Sequence, residues 1–297
     1  MKLTAPWHAL SHYLNHPLGR RDRIGTLARI FRWQVGSRLL KAPVAMPFVD
    51  GTRLLVSTGM HGATGNIYVG LMEFEDMTFT AHLLLEGDLL LDVGANVGVY
   101  SLLAAGRGAM ALAMEPVPTT YTKLLDNISL NRYCALIDAR NIGVGSKRGE
   151  LHFSTTTGPT NHVLVEEDTS GCSTCAAVDT LDSIAAGFMP VMIKIDVEGF
   201  ETEVLRGAQN LLAQDTLKAL VIELNGLGAR YGFNDYDIHN QLITYGFQPM
   251  CYKPFERRLV ALERWATTGN TLYVRPSAQL DQRLRAARPI IWNDVEI

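Results

Sequence analysis

Cysteine is scarce in this 297-residue sequence, and the four present, Cys134, Cys172, Cys175 and Cys251, follow no spacing of a small disulfide-bonded scaffold. Cys172 and Cys175 have C-x-x-C spacing but no second pair, so we expect neither zinc nor redox chemistry there. No run of about 18 uncharged apolar residues occurs, and the first residues have neither a basic start nor a continuous apolar stretch. The sequence therefore predicts a cytoplasmic protein without a membrane span or secretion signal.

An excess of positive charge is also absent. The formal net charge is −3 and the sequence pI about 6.2, which argues against nucleic acid as a partner. What is abundant is apolar residues, 47% of the chain, against 19% charged residues. A chain of this length and composition can bury one large core, as enzymes do.

Composition changes near residue 60, and we predict an N-terminal helix and β-hairpin extension over residues 1–60 before a main domain over 61–297. Asp50-Gly51, between two β-rich runs, predicts the hairpin. Residues 21–40 predict an amphipathic helix, with one face formed by Ile24, Leu27, Ile30, Phe31 and Val35 and the opposite face by Arg20, Arg21, Arg23, Arg29 and Arg32.

The favoured interpretation of this helix is that its apolar face packs on the domain and its arginines are solvated. Two alternatives stay open. A basic amphipathic helix suits peripheral contact with an anionic membrane, here the inner membrane surface. The same helix would alternatively pack on a second subunit and form a homo-oligomer.

Strand and helix patterns alternate from residue 87 onward. Strands are predicted over 88–94, 109–116, 135–144, 191–199 and 217–225, helices over 97–106, 118–133, 201–212 and 237–247, and an edge hairpin near 149–157. The last part of the chain predicts an antiparallel strand pair. This order predicts an α/β fold with an open, mostly parallel sheet and helices on both faces.

The first strand-to-helix turn, D-x-G-x-N-x-G over residues 92–98, predicts a polar ligand at a helix N-terminus. A dinucleotide fingerprint would place its pyrophosphate here, but Asp92 would repel it. The ammonium and ribose hydroxyls of S-adenosylmethionine suit a carboxylate, so we favour that cofactor over NAD. Glu115, 23 residues later at the next strand end, is the expected ribose ligand. Asn141 and Ile142, after the third strand, are expected beside the adenine.

A second candidate cluster, in K-I-D-V-E-G, places Lys194, Asp196 and Glu198 at the carboxyl end of a strand, where open α/β sheets hold their active sites. Asp196 is the first candidate for a catalytic base or a substrate-orienting residue at this edge. Glu198 or Glu201 would alternatively bind a divalent cation, although metal dependence is not favoured. A purely structural role, with these acids capping a helix and paired with Lys194, also stays open.

Candidate substrate ligands lie at the next strand end and in a polar loop. Glu223 and Asn225 are expected to contact substrate hydroxyls, with strand-end turn residues as the alternative interpretation. His162, in the loop over residues 155–165, is a candidate general base, although a loop histidine is more often simply exposed.

Four segments together resemble the FkbM family of S-adenosylmethionine-dependent methyltransferases: "DVGANVGVYS", "EPVPTTYTKLLDNISLN", "VDTLDSI" and above all "IKIDVEGFETEVLRGA". The resemblance spans roughly residues 60–225. It implies a Rossmann-like class I methyltransferase fold, S-adenosylmethionine as cofactor, and O-methylation of a hydroxyl on a small-molecule acceptor, a sugar or glycan or a polyketide-type product. The expected cofactor-binding residues are Asp92, Gly94, Ala95, Asn96, Gly98, Glu115, Pro116, Asn141 and Ile142, and Asn66 and Tyr68 resemble family positions near the cofactor entrance.

Two other classes of protein remain as alternatives, an NAD-dependent Rossmann oxidoreductase and a non-catalytic methyltransferase-like binding module. The loop chemistry argues against the first. The presence of Asp92, Glu115 and Asp196 together argues against the second.

Overall fold

The chain folds around one large β-sheet. The computed structural model describes residues 5–40, 42–155, 161–164, 172–293 and 295–297. The strands are β1 Val44–Pro47, β2 Arg53–Val56, β3 Leu89–Val93, β4 Met110–Met114, β5 Ile137–Arg140, β6 Gly143–Val144, β7 Gly149–Ser154, β8 Ser173–Asp179, β9 Met192–Ile195, β10 Ala219–Glu223, β11 Gln248–Lys253, β12 Arg258–Ala261, β13 Asn270–Val274, β14 Ile291–Trp292 and β15 Val295–Glu296. The helices are α1 Ala5–Asn15, α2 Pro17–Arg21, α3 Arg23–Leu40, α4 His61–Val69, α5 Phe74–Leu83, α6 Val99–Gly106, α7 Pro118–Asn131, α8 Leu181–Ile184, α9 Glu201–Arg206, α10 Gln209–Leu212, α11 Asp235–Thr244 and α12 Ala278–Ala286.

The described strands of the main sheet run in the order β12-β11-β13-β10-β9-β3-β4-β5. The five from β10 to β5 pair in parallel, whereas β13, β11 and β12 are antiparallel. The central strand β3 is buried on both faces, which explains its nearly continuous apolar sequence. This topology confirms the predicted α/β class and its C-terminal antiparallel strands.

Helices cover both faces of the sheet, because successive side chains of the central strands enter two different cores. Leu90 and Met192 belong to one buried cluster, and Leu91 and Ile193 to the other. The first cluster also contains Leu18, Trp33 and Val56 from the first 60 residues, together with residues as late as Ile297. The N-terminal hairpin, formed by β1 and β2, lies where Asp50-Gly51 predicted it.

Three predicted elements differ from the structure in their extent or their pairing. The strand over 135–144 divides at Asn141, with β5 in the main sheet and β6 in a separate three-stranded sheet. The helix over 201–212 breaks near Gly207, where a Cβ would lie 2.1 Å from the carbonyl oxygen of Gly145, so close packing fixes the backbone there. The predicted edge hairpin begins correctly with β7, but its partner is the distant strand β8. Thr156 and Thr157 of that hairpin lie outside the described residues.

Helix α3 packs through a different face from the predicted one. Thr26, Trp33 and Ser37 are buried, and Ile30 lies against the core. The rest of the predicted apolar face points outward, with exposed fractions between 42% and 84% for Ile24, Leu27, Phe31 and Val35.

The physical reason is that an arginine lies on the packed side of α3. Arg29 donates to the carbonyl oxygen of Tyr68 at 2.9 Å, pairs with Asp22 at 3.0 Å, and lies over the Trp292 ring at 4.6 Å. These contacts give the guanidinium hydrogen-bond and charge partners inside the fold, so the face of α3 that carries Arg29 can be buried. Within the described part of the chain, no helix has the length and apolarity needed to span a membrane.

Candidate functional site

The candidate site lies along the carboxyl ends of β3, β4, β9 and β10. The turn after β3 contains Gly94 with φ 77°, where a Cβ would be only 1.9 Å from the carbonyl oxygen of Asp196. Gly98 precedes α6 with φ 87°. Glycine is required at Gly94 because the turn after β3 and the segment after β9 approach each other so closely.

Glu115, at the end of β4, is held by two backbone donors. Its Oε2 accepts from the amide of Asn96 at 3.0 Å and its Oε1 from the amide of Val117 at 2.9 Å. Burial raises the pKa of Glu115 to about 7. Each carboxylate oxygen can accept a further hydrogen bond, so the group can still receive the hydroxyls of a diol.

Asp92, in β3, is hydrogen-bonded through one carboxylate oxygen to the following helix α6. Its Oδ2 accepts from the amide of Ser101 at 3.1 Å and from the Ser101 hydroxyl at 2.6 Å. Burial raises the pKa of this carboxyl. Asp92 therefore anchors the first turn of α6 and also lines one of the cavities at this edge.

Two adjoining cavities open at this edge. The narrow cavity, about 70 Å³, is lined by Glu115, Pro116, Ile142, Phe153 and Phe200. The wide cavity, about 260 Å³, is lined by Ala95, Asp92 and Lys194. Gly94, Asn96, Thr120, Asn161 and Asp196 line both.

Two further predicted cofactor residues, Asn141 and Gly98, lie beside these cavities without lining them. Asn141 donates through its side-chain amide to the carbonyl oxygens of Glu115 and Pro116, at 2.8 and 3.0 Å. Gly98 contributes only backbone geometry, since a Cβ would lie 2.4 Å from Leu124. Both therefore shape the ends of the strands and lie outside the lining of either cavity.

Lys194 and Asp196 form an ion pair at 3.1 Å between Nζ and Oδ2. The Lys194 side chain is 3% exposed and that of Asp196 39% exposed. Burial alone lowers the pKa of Lys194, but the surrounding carboxylates, Asp196 first and then Glu73, outweigh it and hold the pKa above its ordinary value. The buried ammonium thus fixes an Asp196 carboxylate that stays accessible from both cavities.

Glu198 reaches this region through a turn and not through an extended strand. β9 ends at Ile195, and Glu198 has φ 55°. Carboxylate oxygens of Asp196, Glu198 and Glu223 lie within 4.8 Å of one another. Burial, followed by repulsion from Asp196 and Glu223, raises the pKa of Glu198 to about 7. Glu198 therefore suits proton transfer near neutral pH, and the oxygens of the three acids also suit a hard divalent cation.

Glu201 has a structural task in the same turn. Its Oε1 accepts from the amides of Val197 and Gly199 at 3.3 and 3.1 Å. Its carboxylate is absent from the three-acid cluster among the described residues. Among the described residues, the acids grouped closely enough to share one cation are Asp196, Glu198 and Glu223.

The predicted substrate residues divide between two places. Glu223 belongs to the acid cluster, whereas Asn225 is exposed and lines a separate groove with Trp265. His162 lines the narrow cavity, with its amide donating to Ser154 Oγ at 3.0 Å. Residues 156–160 of the polar loop lie outside the described residues.

Sequence patterns missed Glu73, which precedes α5, and Tyr100 of α6, both of which line the wide cavity, whereas Asn66 of α4 was expected near the cofactor entrance. Glu73 accepts from the Tyr100 hydroxyl at 2.5 Å, and Lys194 lies 5.2 Å from the centre of the Tyr100 ring. Asn66 also lines this cavity, and its Oδ1 accepts from the amide of Met72 at 2.9 Å. The sequence does contain one signal for this region. Glu75 and Asp76 lie in the first turn of α5, and acidic residues are favoured at the start of a helix.

Parallel strands in the order β5-β4-β3-β9-β10, with an antiparallel strand beside β10 and acids at the ends of β3, β4 and β9, define a Rossmann-like methyltransferase fold. The family model of the methyltransferase FkbM domain matches residues 92–249, more than half of the chain. The chain belongs to this family.

Similar proteins match over part of their length. AglP of Haloferax volcanii, a hexuronic acid methyltransferase, is 28% identical over 142 residues, 47% of this chain and 57% of that protein. Methyltransferase sdnD of Sordaria araneosa is 27% identical over 169 residues, 45% of this chain and 65% of that protein. The match thus spans less than two thirds of either relative. A crystal structure of methyltransferase FkbM from Methylobacillus flagellatus superposes with a TM-score of 0.45 at 15% identity, over 84% of this chain and 59% of that one.

Proposed function

We propose that this protein is an S-adenosylmethionine-dependent O-methyltransferase acting on a hydroxyl of a sugar, glycan or polyketide-type acceptor. The observation that carries the proposal is the position of Glu115. Its buried carboxylate opens into the narrow cavity beside the Gly94 turn. Asp196, which lines both cavities, lies in the same lining. A diol ligand at Glu115 would extend past Gly94 toward Asp196, which suits the ribose and amino-acid parts of this cofactor.

The residues around Asp196 would orient and deprotonate the acceptor. S-adenosylmethionine, when bound, supplies an electrophilic methyl group. Asp196, fixed by Lys194, accepts a hydrogen bond from the acceptor hydroxyl and directs its oxygen. Glu198, whose pKa is about 7, is placed to take up the proton that the hydroxyl loses.

The wide cavity supports a polar, hydroxyl-bearing acceptor. The polar part of its lining combines the carboxylates of Glu73 and Asp196 with the amide of Asn66 and the ammonium of Lys123. Apolar side chains, among them Met60, Met72 and Met77, form the rest. Such groups hydrogen-bond sugar hydroxyls, and Lys123 also suits an acceptor carboxylate. AglP acts on hexuronic acids by its name, which supports sugar acceptors as the first compounds to assay.

Calorimetric titration with S-adenosylhomocysteine tests the cofactor site. We expect the wild type to bind it and Glu115→Gln to lose roughly 1.5–3 kcal/mol, or about tenfold to a hundredfold in affinity, because a charge-assisted hydrogen-bond acceptor becomes neutral. Asp126→Asn on the exposed side of α7 is the matched control. Heat from NAD instead of S-adenosylhomocysteine would support the oxidoreductase alternative.

Transfer of a labelled methyl group to a panel of sugars, uronic acids and polyketide alcohols tests the reaction. We expect Glu198→Gln, which removes the proposed base, to lower kcat by about 100-fold to 10,000-fold while S-adenosylhomocysteine still binds. Loss of activity with EDTA, restored by magnesium, would assign the acids to cation binding. Full cofactor affinity with no transfer to any acceptor would favour the binding-module alternative.

A further inference from the structure

The outward face of α3 is an apolar stripe with no partner among the described residues. Its side chains follow helical spacing from Ile24 to Leu39, about 24 Å at 1.5 Å per residue. The stripe consists of Ile24, Leu27, Phe31, Val35 and Leu39, which are between 42% and 84% exposed. Contiguous exposed apolar side chains on a soluble surface mark an interaction site.

Positive charge is concentrated around this stripe. Residues 20–40 contain six arginines and one acidic residue, Asp22, in a chain whose net charge is −3. Arg23, Arg32 and Arg38 are exposed and border the stripe by helical rotation. Among the described residues, none of these three arginines has a carboxylate within salt-bridge distance.

We propose that this face of α3 docks on an anionic membrane surface, with its apolar stripe in the interface and its arginines on the lipid phosphates. A strongly basic rim around an apolar face is complementary to an anionic bilayer, which offers both hydrocarbon and negative charge. A second copy of the same face is a poorer partner. It would bring another set of arginines against Arg32 and Arg38, and α3 contains no acidic residue to pair with them.

The position of α3 connects this surface to the site. Gln34 donates to the Tyr68 hydroxyl at 3.1 Å, Arg29 holds the Tyr68 carbonyl oxygen, and Thr58 donates to the carbonyl oxygen of Ser37. Asn66, on the same helix as Tyr68, lines the wide cavity. Docking through α3 would therefore leave α3 and α4 between the membrane and the wide cavity.

Vesicle flotation with the full chain tests the proposal without using methyl transfer. The probes are vesicles of phosphatidylcholine alone and of phosphatidylcholine mixed with phosphatidylglycerol, at low and high salt. We expect binding only to the mixed vesicles, weakened by salt. Replacing Arg32 and Arg38 together by glutamine should weaken binding roughly 25-fold, since each arginine near the surface contributes about fivefold. Phe31→Ser combined with Val35→Ser should weaken it at least about tenfold.

Phe188→Ser combined with Met189→Ser is the matched control, because these side chains are exposed and apolar but lie in the loop before β9. This variant should bind vesicles like the wild type, and circular dichroism should show that all variants are folded. Equal binding by the wild type and the Phe31/Val35 variant would overturn the proposal. So would no wild-type binding, or sedimentation showing a dimer that the Phe31/Val35 substitutions dissociate.

Discussion

The carboxylates of Asp196, Glu198 and Glu223 lie close together despite their mutual repulsion. Lys194 neutralises one of them, but Glu198 and Glu223 have no cation within salt-bridge distance among the described residues. Glu198 also adopts a left-handed backbone conformation at φ 55°. Strain and crowded charge of this kind lower stability and are retained where a site needs them.

The stability of the protein should respond to pH through Glu198. Its pKa is about 7 in the folded protein against 4.5 as its ordinary value, so the folded state holds a proton that the unfolded state releases between these values. Stability from this group is therefore complete below about pH 4.5 and is lost as the pH rises through 7. Urea unfolding should give Glu198→Gln and the wild type the same free energy of unfolding near pH 4.5. Near pH 8 the variant should be more stable by about 1 kcal/mol, a value that allows for solvent screening of this half-buried group.

Asp126→Asn, which removes an exposed acid, should leave the pH dependence unchanged. A Glu198→Gln protein that is less stable than the wild type near pH 8 would show that the carboxylate is stabilised there, as by a bound cation.

Elements differ in how much of them local sequence determines. The central strands and the acids Asp92, Glu115 and Asp196 follow from local patterns, because buried parallel strands are apolar runs and their carboxyl ends meet at one edge. The packing of α4 and α5 against the wide cavity involves no motif. β7 and β8 pair across 18 intervening residues, and the orientation of α3 depends on contacts of Arg29 with distant residues. Tertiary contacts decide these elements, which is why the pattern of residues could not predict them.

The orientation of α3 is testable by two alanine substitutions of aromatic residues two positions apart. Trp33 is 6% exposed and belongs to the core, whereas Phe31 is 69% exposed. We expect Trp33→Ala to lower the free energy of unfolding by about 3–5 kcal/mol and Phe31→Ala to change it by less than about 0.5 kcal/mol. Chemical denaturation followed by circular dichroism measures both. The reverse order of effects would mean that α3 packs through the face that its apolar spacing predicts.

At the scale of the molecule, one buried ion pair connects the N-terminal hairpin to the C-terminal segment. Arg107, directly after α6, pairs with Asp50 of the β1–β2 turn at 2.9 Å, and their side chains are 2% and 10% exposed. Arg107 also donates to the carbonyl oxygens of Arg288 and Pro289, while Asp50 accepts from the amide of Ile291. One guanidinium thus joins the N-terminal hairpin, the end of α6 and the C-terminal segment.

Replacing Arg107 by methionine should therefore destabilise the whole fold. The change leaves a buried carboxylate at Asp50 and two carbonyl oxygens without their donor, and breaking a buried pair in this way costs about 3–5 kcal/mol. Arg258, which pairs with Glu256 while both are more than half exposed, provides the control. Arg258→Met should cost less than about 1 kcal/mol.

Urea unfolding followed by both tryptophan fluorescence and circular dichroism should give coincident transitions, since the N-terminal hairpin and the C-terminal segment share one core with the sheet. Separate transitions, or an Arg107→Met protein as stable as the wild type, would show that the hairpin and the C-terminal segment are not coupled to the sheet through this pair.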